Sequence, residues 1–209
     1  MNRIVEPEIL DTLSPDDPAA MRSRADLRFV NVMMGGERWI VNEIAGFEDV
    51  ECVIELGAGE GKLSSRIKEA YPQLEVLAMD LQGRPRGVHG GVKWKQGDVL
   101  GAGLAAGKET LVVTNMFLHH LDEGQLRKLD EMFSDVGGWI CHEPVRSSSA
   151  LFWGKLIRPL MGRVTRHDMI VSIKAGFVPG ELGESLALQG SWHEEVGMFG
   201  SLRSKVVCE

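Results

Sequence analysis

The run Glu55-Leu56-Gly57-Ala58-Gly59-Glu60-Gly61, with Asp80 further along, has the residue types and spacing to hold a ligand that carries a ribose. Glycines let the backbone turn sharply and approach a ligand to contact distance. An acid about 20 residues beyond such a loop is placed to receive ribose hydroxyls. The glycine spacing narrows the choice. A dinucleotide loop needs Gly-x-Gly-x-x-Gly, whose third glycine lets helix and strand pack closely; here Lys62 stands at that position. The phosphate-cradling Gly-x-x-x-x-Gly-Lys-Ser/Thr is absent as well. The pattern points to a nucleoside-bearing cofactor that is not a dinucleotide.

Three further groups could do chemistry. His119-His120 follows an apolar run, and histidine suits proton acceptance near neutral pH. The alternative for the pair is to cap the next helix or to bond backbone. His142-Glu143-Pro144-Val145-Arg146 is the second group; Arg146 either clamps a substrate carboxylate or pairs with an acid of the protein itself. In Arg166-His167-Asp168, Asp168 either orients the histidine or caps a helix over 169–175.

These residues need a scaffold, and the hydrophobic pattern supplies one. Apolar β-branched runs predict strands near 53–56, 74–79, 92–95, 110–115 and 137–142. Helical spacing predicts helices over 62–71 and 123–133 between them. Alternation of this kind argues for a parallel sheet covered on both faces. Ligands then bind at the carboxyl ends of the strands, where Gly57, Asp80, Asp98, Asn115 and Glu143 all fall. Ahead of this core, Ser14-Pro15-Asp16-Asp17 reads as a helix start with Ser14 as cap. A helix over 18–34 follows and stops at Gly35-Gly36; a second over 37–45 is apolar through Trp39, Ile40 and Ile44. Segments 186–188 and 204–207 are candidates for final strands.

The pattern Glu-x-Gly-x-Gly-x-Gly resembles motif I of the class I S-adenosylmethionine (SAM) methyltransferases. Gln96-Gly97-Asp98-Val99 is similar to the adenine-holding segment after their third strand, and Thr114-Asn115-Met116-Phe117-Leu118-His119-His120-Leu121 to the fourth-strand motif ending in Leu-His-His. The motifs occur in order between residues 52 and 143. The resemblance is to small-molecule enzymes of secondary metabolism and quinone biosynthesis. It implies a Rossmann-like, seven-stranded, mostly parallel sheet with helices on both faces. Residues 1–47 would form an N-terminal helical cap and 48–209 the SAM-binding core, in one domain overall.

The same resemblance implies roles. Gly57, Ala58, Gly59 and Gly61 would lie against the methionine part of SAM, with Glu55 orienting the loop and the amino group. Asp80 and Leu81 would meet the ribose side, Asp98 and Val99 the adenine, and Asn115 and Met116 the methionyl tail. Asp98 has a plainer alternative, since Gly-Asp is common in turns. The implied reaction is methylation of a small, partly apolar acceptor at a phenolic or enolic hydroxyl. His119 or His120 would take the proton and Arg146 would position the acceptor. Carbon or nitrogen acceptors, and a catalytically silent SAM-binding protein, are the alternatives. No metal is expected, since no acid cluster follows the fourth strand. The Asn/Asp-Pro-Pro-aromatic tetrad is also missing, which counts against DNA adenine and glutamine substrates.

Composition agrees with a globular enzyme. The chain has 209 residues with 44% hydrophobic and 25% charged content. A net charge of −7 argues against a nucleic-acid binder. Three cysteines without metal or redox spacing imply a reduced, cytoplasmic setting, and Cys52 and Cys141, inside predicted strands, read as small apolar residues. Neither a signal peptide nor a membrane-spanning run is expected. The basic, aromatic and apolar stretch 151–166 suits either a lid burying Leu151, Trp153, Leu156 and Leu160 or an interfacial helix touching anionic lipid. Both imply a hydrophobic acceptor. Oligomeric state is open.

Overall fold

Short apolar runs build one seven-stranded sheet with the order β3-β2-β1-β4-β5-β7-β6. The computed structural model describes residues 1–14, 16–104, 106–197 and 199–208. In chain order the elements are α1 (Ile9–Thr12), α2 (Pro18–Met34), α3 (Gly36–Glu43), β1 (Cys52–Leu56), α4 (Lys62–Ala70), β2 (Glu75–Asp80) and β3 (Val92–Gln96). Then come β4 (Thr110–Asn115), α5 (Glu123–Met132), β5 (Gly138–Pro144), α6 (Ser148–Ile157), α7 (Arg163–Ala175), α8 (Glu181–Ser185), β6 (Gly190–Gly197) and β7 (Ser201–Cys208). The pairings from β3 through to β5 are parallel. Strand β7 runs antiparallel between β5 and β6.

The two-residue alternation of each strand divides the core between the faces. Val53, Leu111, Val113 and Ile140 pack with Ile40 of α3 and Leu63 and Ile67 of α4. Ile54, Leu56, Val112 and Trp139 pack on the other face with Leu126 and Leu129 of α5. Each such side chain, fully buried, contributes about 1.5–3 kcal/mol. The alternation also sorts the polar residues. Glu55 lies on the α4 face, whereas Glu143, one residue after His142, lies on the opposite face from it.

Helix α2 begins at Pro18 with Asp17, not Ser14, as its cap. Asp17 accepts the Ala19 amide at 2.7 Å, and proline suits the first helical position because its missing N–H needs no partner there. Pro15 lies outside the described residues. Gly35 at φ +67° ends the helix. Asp26 then ties α2 to the start of α7, accepting from Gly162 N at 2.6 Å and Thr165 Oγ1 at 3.0 Å. Segment 186–188 is not a strand: Leu186 and Leu188 plug the core after α8, and the strand starts at Gly190. The 204–207 expectation falls inside the longer β7. Among the described residues no helix is long and apolar enough to cross a membrane.

Candidate active site

The three loop glycines all adopt positive φ, at +71°, +53° and +68° for Gly57, Gly59 and Gly61. They are not equivalent. A Cβ on Gly57 would lie 2.2 Å from Phe117 Cδ2, and one on Gly61 would lie 2.7 Å from Val88 Cγ2. A Cβ on Gly59 would meet nothing within 4 Å. The outer glycines are required by the protein's own packing, and the middle one fronts open space. Asp80 at the end of β2 accepts the Gly59 amide on Oδ2 at 2.7 Å and the Gln82 amide on Oδ1 at 2.8 Å. Beside it Leu81 is 69% exposed, an apolar face without a partner among the described residues' core.

Beneath the loop, Glu55 accepts a hydrogen bond from Ser64 Oγ in the first turn of α4. Complete burial pushes its carboxyl up to about 8, more than the Ser64 bond pulls it down. Ala58 is buried and donates its amide to Met79 O at 2.9 Å. Asp98 is exposed and caps the 3-10 turn Val99–Gly101 through Leu100 N at 2.9 Å, while Val99 is buried under it. Asn115 Oδ1 bonds His142 Nδ1 at 2.8 Å. Met116 sits at φ +58°, a costly conformation for a non-glycine residue, and its amide is held by His142 O at 2.7 Å. His142 packs so tightly on α3 that a Cβ on Gly36 would lie 2.2 Å from its Nδ1. Burial pushes its imidazole down to about 4, so it is neutral.

The Leu-His-His turn is a polar clasp. Glu143, fully buried, accepts from the amides of Phe117 and Leu118 at 3.0 and 2.9 Å and bonds His119 Nδ1 at 2.8 Å. His119 Nε2 faces Glu8 Oε1 at 3.7 Å. Burial disfavours the imidazolium, but the bonds to Glu143 and Glu8 outweigh it and raise its pKa to about 9. Arg3 closes the other side, donating to Leu121 O at 2.7 Å and Ala175 O at 2.8 Å. Both ring nitrogens of His119 therefore face carboxylates, Nδ1 towards Glu143 and Nε2 towards Glu8. His119 is not among the residues that line the apolar pocket. His120, stacked 4.2 Å from His119, has Asp11 at 3.8 Å and faces α1.

Arg146 pairs with an acid of the protein itself. It is 7% exposed, its Nη2 meets both oxygens of Glu181 at 2.5 Å, and its Nε donates to Gly176 O at 3.1 Å. Its fork is already filled by the protein. Asp168 caps a helix, but a distant one: it accepts the Ile9 and Leu10 amides at 2.9 and 3.0 Å and so holds α1, from a place within α7.

Sequence reasoning missed the pocket that adjoins the loop. It encloses a cavity of about 80 Å³ between α2, α6, α7 and the β6–β7 turn, and its wall includes Met116 and Pro144. Asn31, Met34, Trp153, Met169 and Phe199 contribute most of its character. Among its described lining residues none is acidic, basic or histidine. Phe117, next to Met116, rests on Gly57, so pocket and glycine loop share the wall 115–117. The available signal was the methionine-rich end of α2. The lid expectation for 151–166 is corrected in part: Trp153 lines the pocket, but Leu156 and Leu160 are 58% and 66% exposed.

No family model matches the chain. Over 77 residues, 35% of this chain, it is 26% identical to an uncharacterized methyltransferase of Mycobacterium tuberculosis (strain ATCC 25618 / H37Rv), and the match spans 39% of that protein. The plantazolicin methyltransferase BpumL, solved with SAH, superposes with a TM-score of 0.72 at 9% identity, over 93% of this chain and 91% of that one. The pyocyanin biosynthetic protein PhzM gives 0.64 at 17% identity, over 97% and 62%. Human N-acetylserotonin methyltransferase, solved with SAM, gives 0.62 at 12%, over 95% and 61%. The fold is therefore that of the class I methyltransferases. An open cradle before Gly59, an acid at the end of β2 and a buried acid beneath the loop fit SAM.

Proposed function

We propose that the protein transfers a methyl group from SAM to a small, largely apolar acceptor. The observation that carries this reading is the contact of Phe117 with Gly57, which makes the apolar pocket and the glycine loop neighbours across one wall. Gly57 to Gly61 would take the methionine part, Asp80 the ribose through its remaining lone pairs, and Leu81 and Val99 the flanks of the base. Asn115 and Met116 would lie between the two ligands. When bound, SAM supplies an already activated methyl group, so the chain's part is to align the acceptor and exclude water. The apolar wall of Met34, Trp153 and Met169 suits both.

Among the described lining residues there is no carboxylate or imidazole to take a proton. This favours an acceptor atom that arrives without its proton: an acidic phenol or enol as its anion, or a free-base nitrogen. Likeness to a plantazolicin methyltransferase and to a pyocyanin biosynthetic protein supports natural-product chemistry in general. Calorimetric titration with SAM, with NAD and NADP as controls, tests the reading. One-site SAM binding followed by turnover on acidic phenols or heteroaromatic amines is expected. A folded protein that binds no SAM would refute it.

A second reading concerns α6. Phe152 and Leu156 are 61% and 58% exposed beside exposed Lys155 and Arg158, which favours contact with an apolar or anionic lipid surface at the pocket mouth. Sedimentation with anionic against neutral vesicles tests it.

A further inference from the structure

We propose that Glu8, His119 and His120 form a binding site for a divalent transition metal ion of the zinc class, with Asp11 as fourth ligand. One donor atom from each of Glu8, His119 and His120 lies within 4.8 Å of the others. His119 Nε2 is 3.7 Å from Glu8 Oε1, and His120 Nδ1 is 3.8 Å from Asp11 Oδ2. Tetrahedral zinc with bonds of about 2.0–2.1 Å sets neighbouring donor atoms about 3.3 Å apart. The two ion-pair separations need to close by a few tenths of an ångström, the other donors of the triad by up to about 1.5 Å, and Asp11, which lies outside the triad, has to turn in from the open side.

Three further observations agree. His119 Nδ1 is held at 2.8 Å by Glu143, the carboxylate–imidazole arrangement that orients a histidine to present its other nitrogen to a metal. The donor set of two imidazoles and two carboxylates suits zinc and its neighbours rather than calcium or magnesium. There is a way in: the side chains of Asp11 and His120 are 59% and 32% exposed, while His119 and Glu8 behind them are buried. The groups facing the cluster are mostly negative, with Glu143 and Asp168 close by and Ser172 Oγ donating to Glu8. An ion there would join the segment before α2 to the turn after β4. It does not rest on the methyl-transfer reading. The sequence gives no sign of it, because Glu8 meets the histidines only after folding.

The rival state is an ion-free imidazolium of His119 clasped by Glu8 and Glu143. Untagged, metal-stripped full chain titrated with Zn²⁺ at neutral pH separates the two. One equivalent should bind, with proton release as His119 gives up its N–H, measured by repeating the calorimetry in buffers of different ionisation enthalpy. The unfolding midpoint should rise with Zn²⁺. His120→Ala and Asp11→Asn lie at the open side and should fold by circular dichroism while losing tenfold or more in Zn²⁺ affinity. His193→Ala, in β6, should lose nothing. Absence of saturable binding, or binding that both open-side variants leave unchanged, would overturn the proposal.

Discussion

Gly59 donates its amide proton to Asp80 across 2.7 Å, so the acid ending β2 already holds the middle of the glycine loop. Asp80 thus shapes the cradle as well as lining it. Asp80→Ala should weaken SAM binding at least tenfold by calorimetry, and should also speed amide exchange at Gly59. Retained affinity with a mobile loop would separate the two roles against this account.

The glycines should divide by consequence. Gly57→Ala forces a methyl group into Phe117 and should lower the unfolding midpoint by several degrees. Gly59→Ala meets only open space and costs about 1–2 kcal/mol of left-handed backbone strain. It should remain folded but lose SAM affinity disproportionately. Thermal unfolding and calorimetry on the same two proteins decide it.

Buried neutral His142 makes stability depend on acidity. Its folded pKa, about 4, lies below the ordinary imidazole value of about 6.5, so the unfolded chain binds the extra proton. The stability it contributes is full above pH 6.5 and is lost as pH falls towards 4, by about 3 kcal/mol in all. Glu55, raised to about 8, acts oppositely, favouring the folded state as pH falls from 8 towards 4.5. The test is therefore the difference between wild type and His142→Gln in denaturant titrations at pH 7 and 4.5. An unchanged difference would contradict the assignment.

Removing His119 should damage the fold before the chemistry. His119→Ala leaves Glu143 and Glu8 without their cation, and breaking a buried pair costs about 3–5 kcal/mol. In metal-free protein the loss should appear in denaturant midpoint. Any residual turnover should keep the wild-type pH profile, whereas a lost alkaline or acid limb would restore the base role.

Arg146→Ala should behave the same way, through Glu181 and Gly176 O. Its stability should fall by several kcal/mol, with KM for the acceptor little changed. A raised KM at preserved stability would mean that the guanidinium reaches the substrate.

The parts legible in the sequence were those encoded over short distances. The β-branched run before Gly57 forced β1, the glycine spacing forced the loop, and the alternation at 110–115 placed Asn115 at a strand end. The parts not legible depend on partners far along the chain. His119 and Arg146 read as cleft residues in the sequence, and their partners Glu8 and Glu181 lie far from them along the chain. Asp168 looks like a local cap because Ile9 is so far away in sequence. The apolar pocket joins three helices and a hairpin turn, and no single periodicity describes it.

The antiparallel insertion of β7 between β5 and β6 has a consequence for biogenesis. On a ribosome, β6 emerges before its partner β7, and β5 waits with one edge bare through the synthesis of α6, α7, α8 and β6. An open strand edge of this kind is a template for pairing with another chain. The nascent protein is thus most prone to aggregate late in translation, when the glycine loop and four parallel strands have already found their partners.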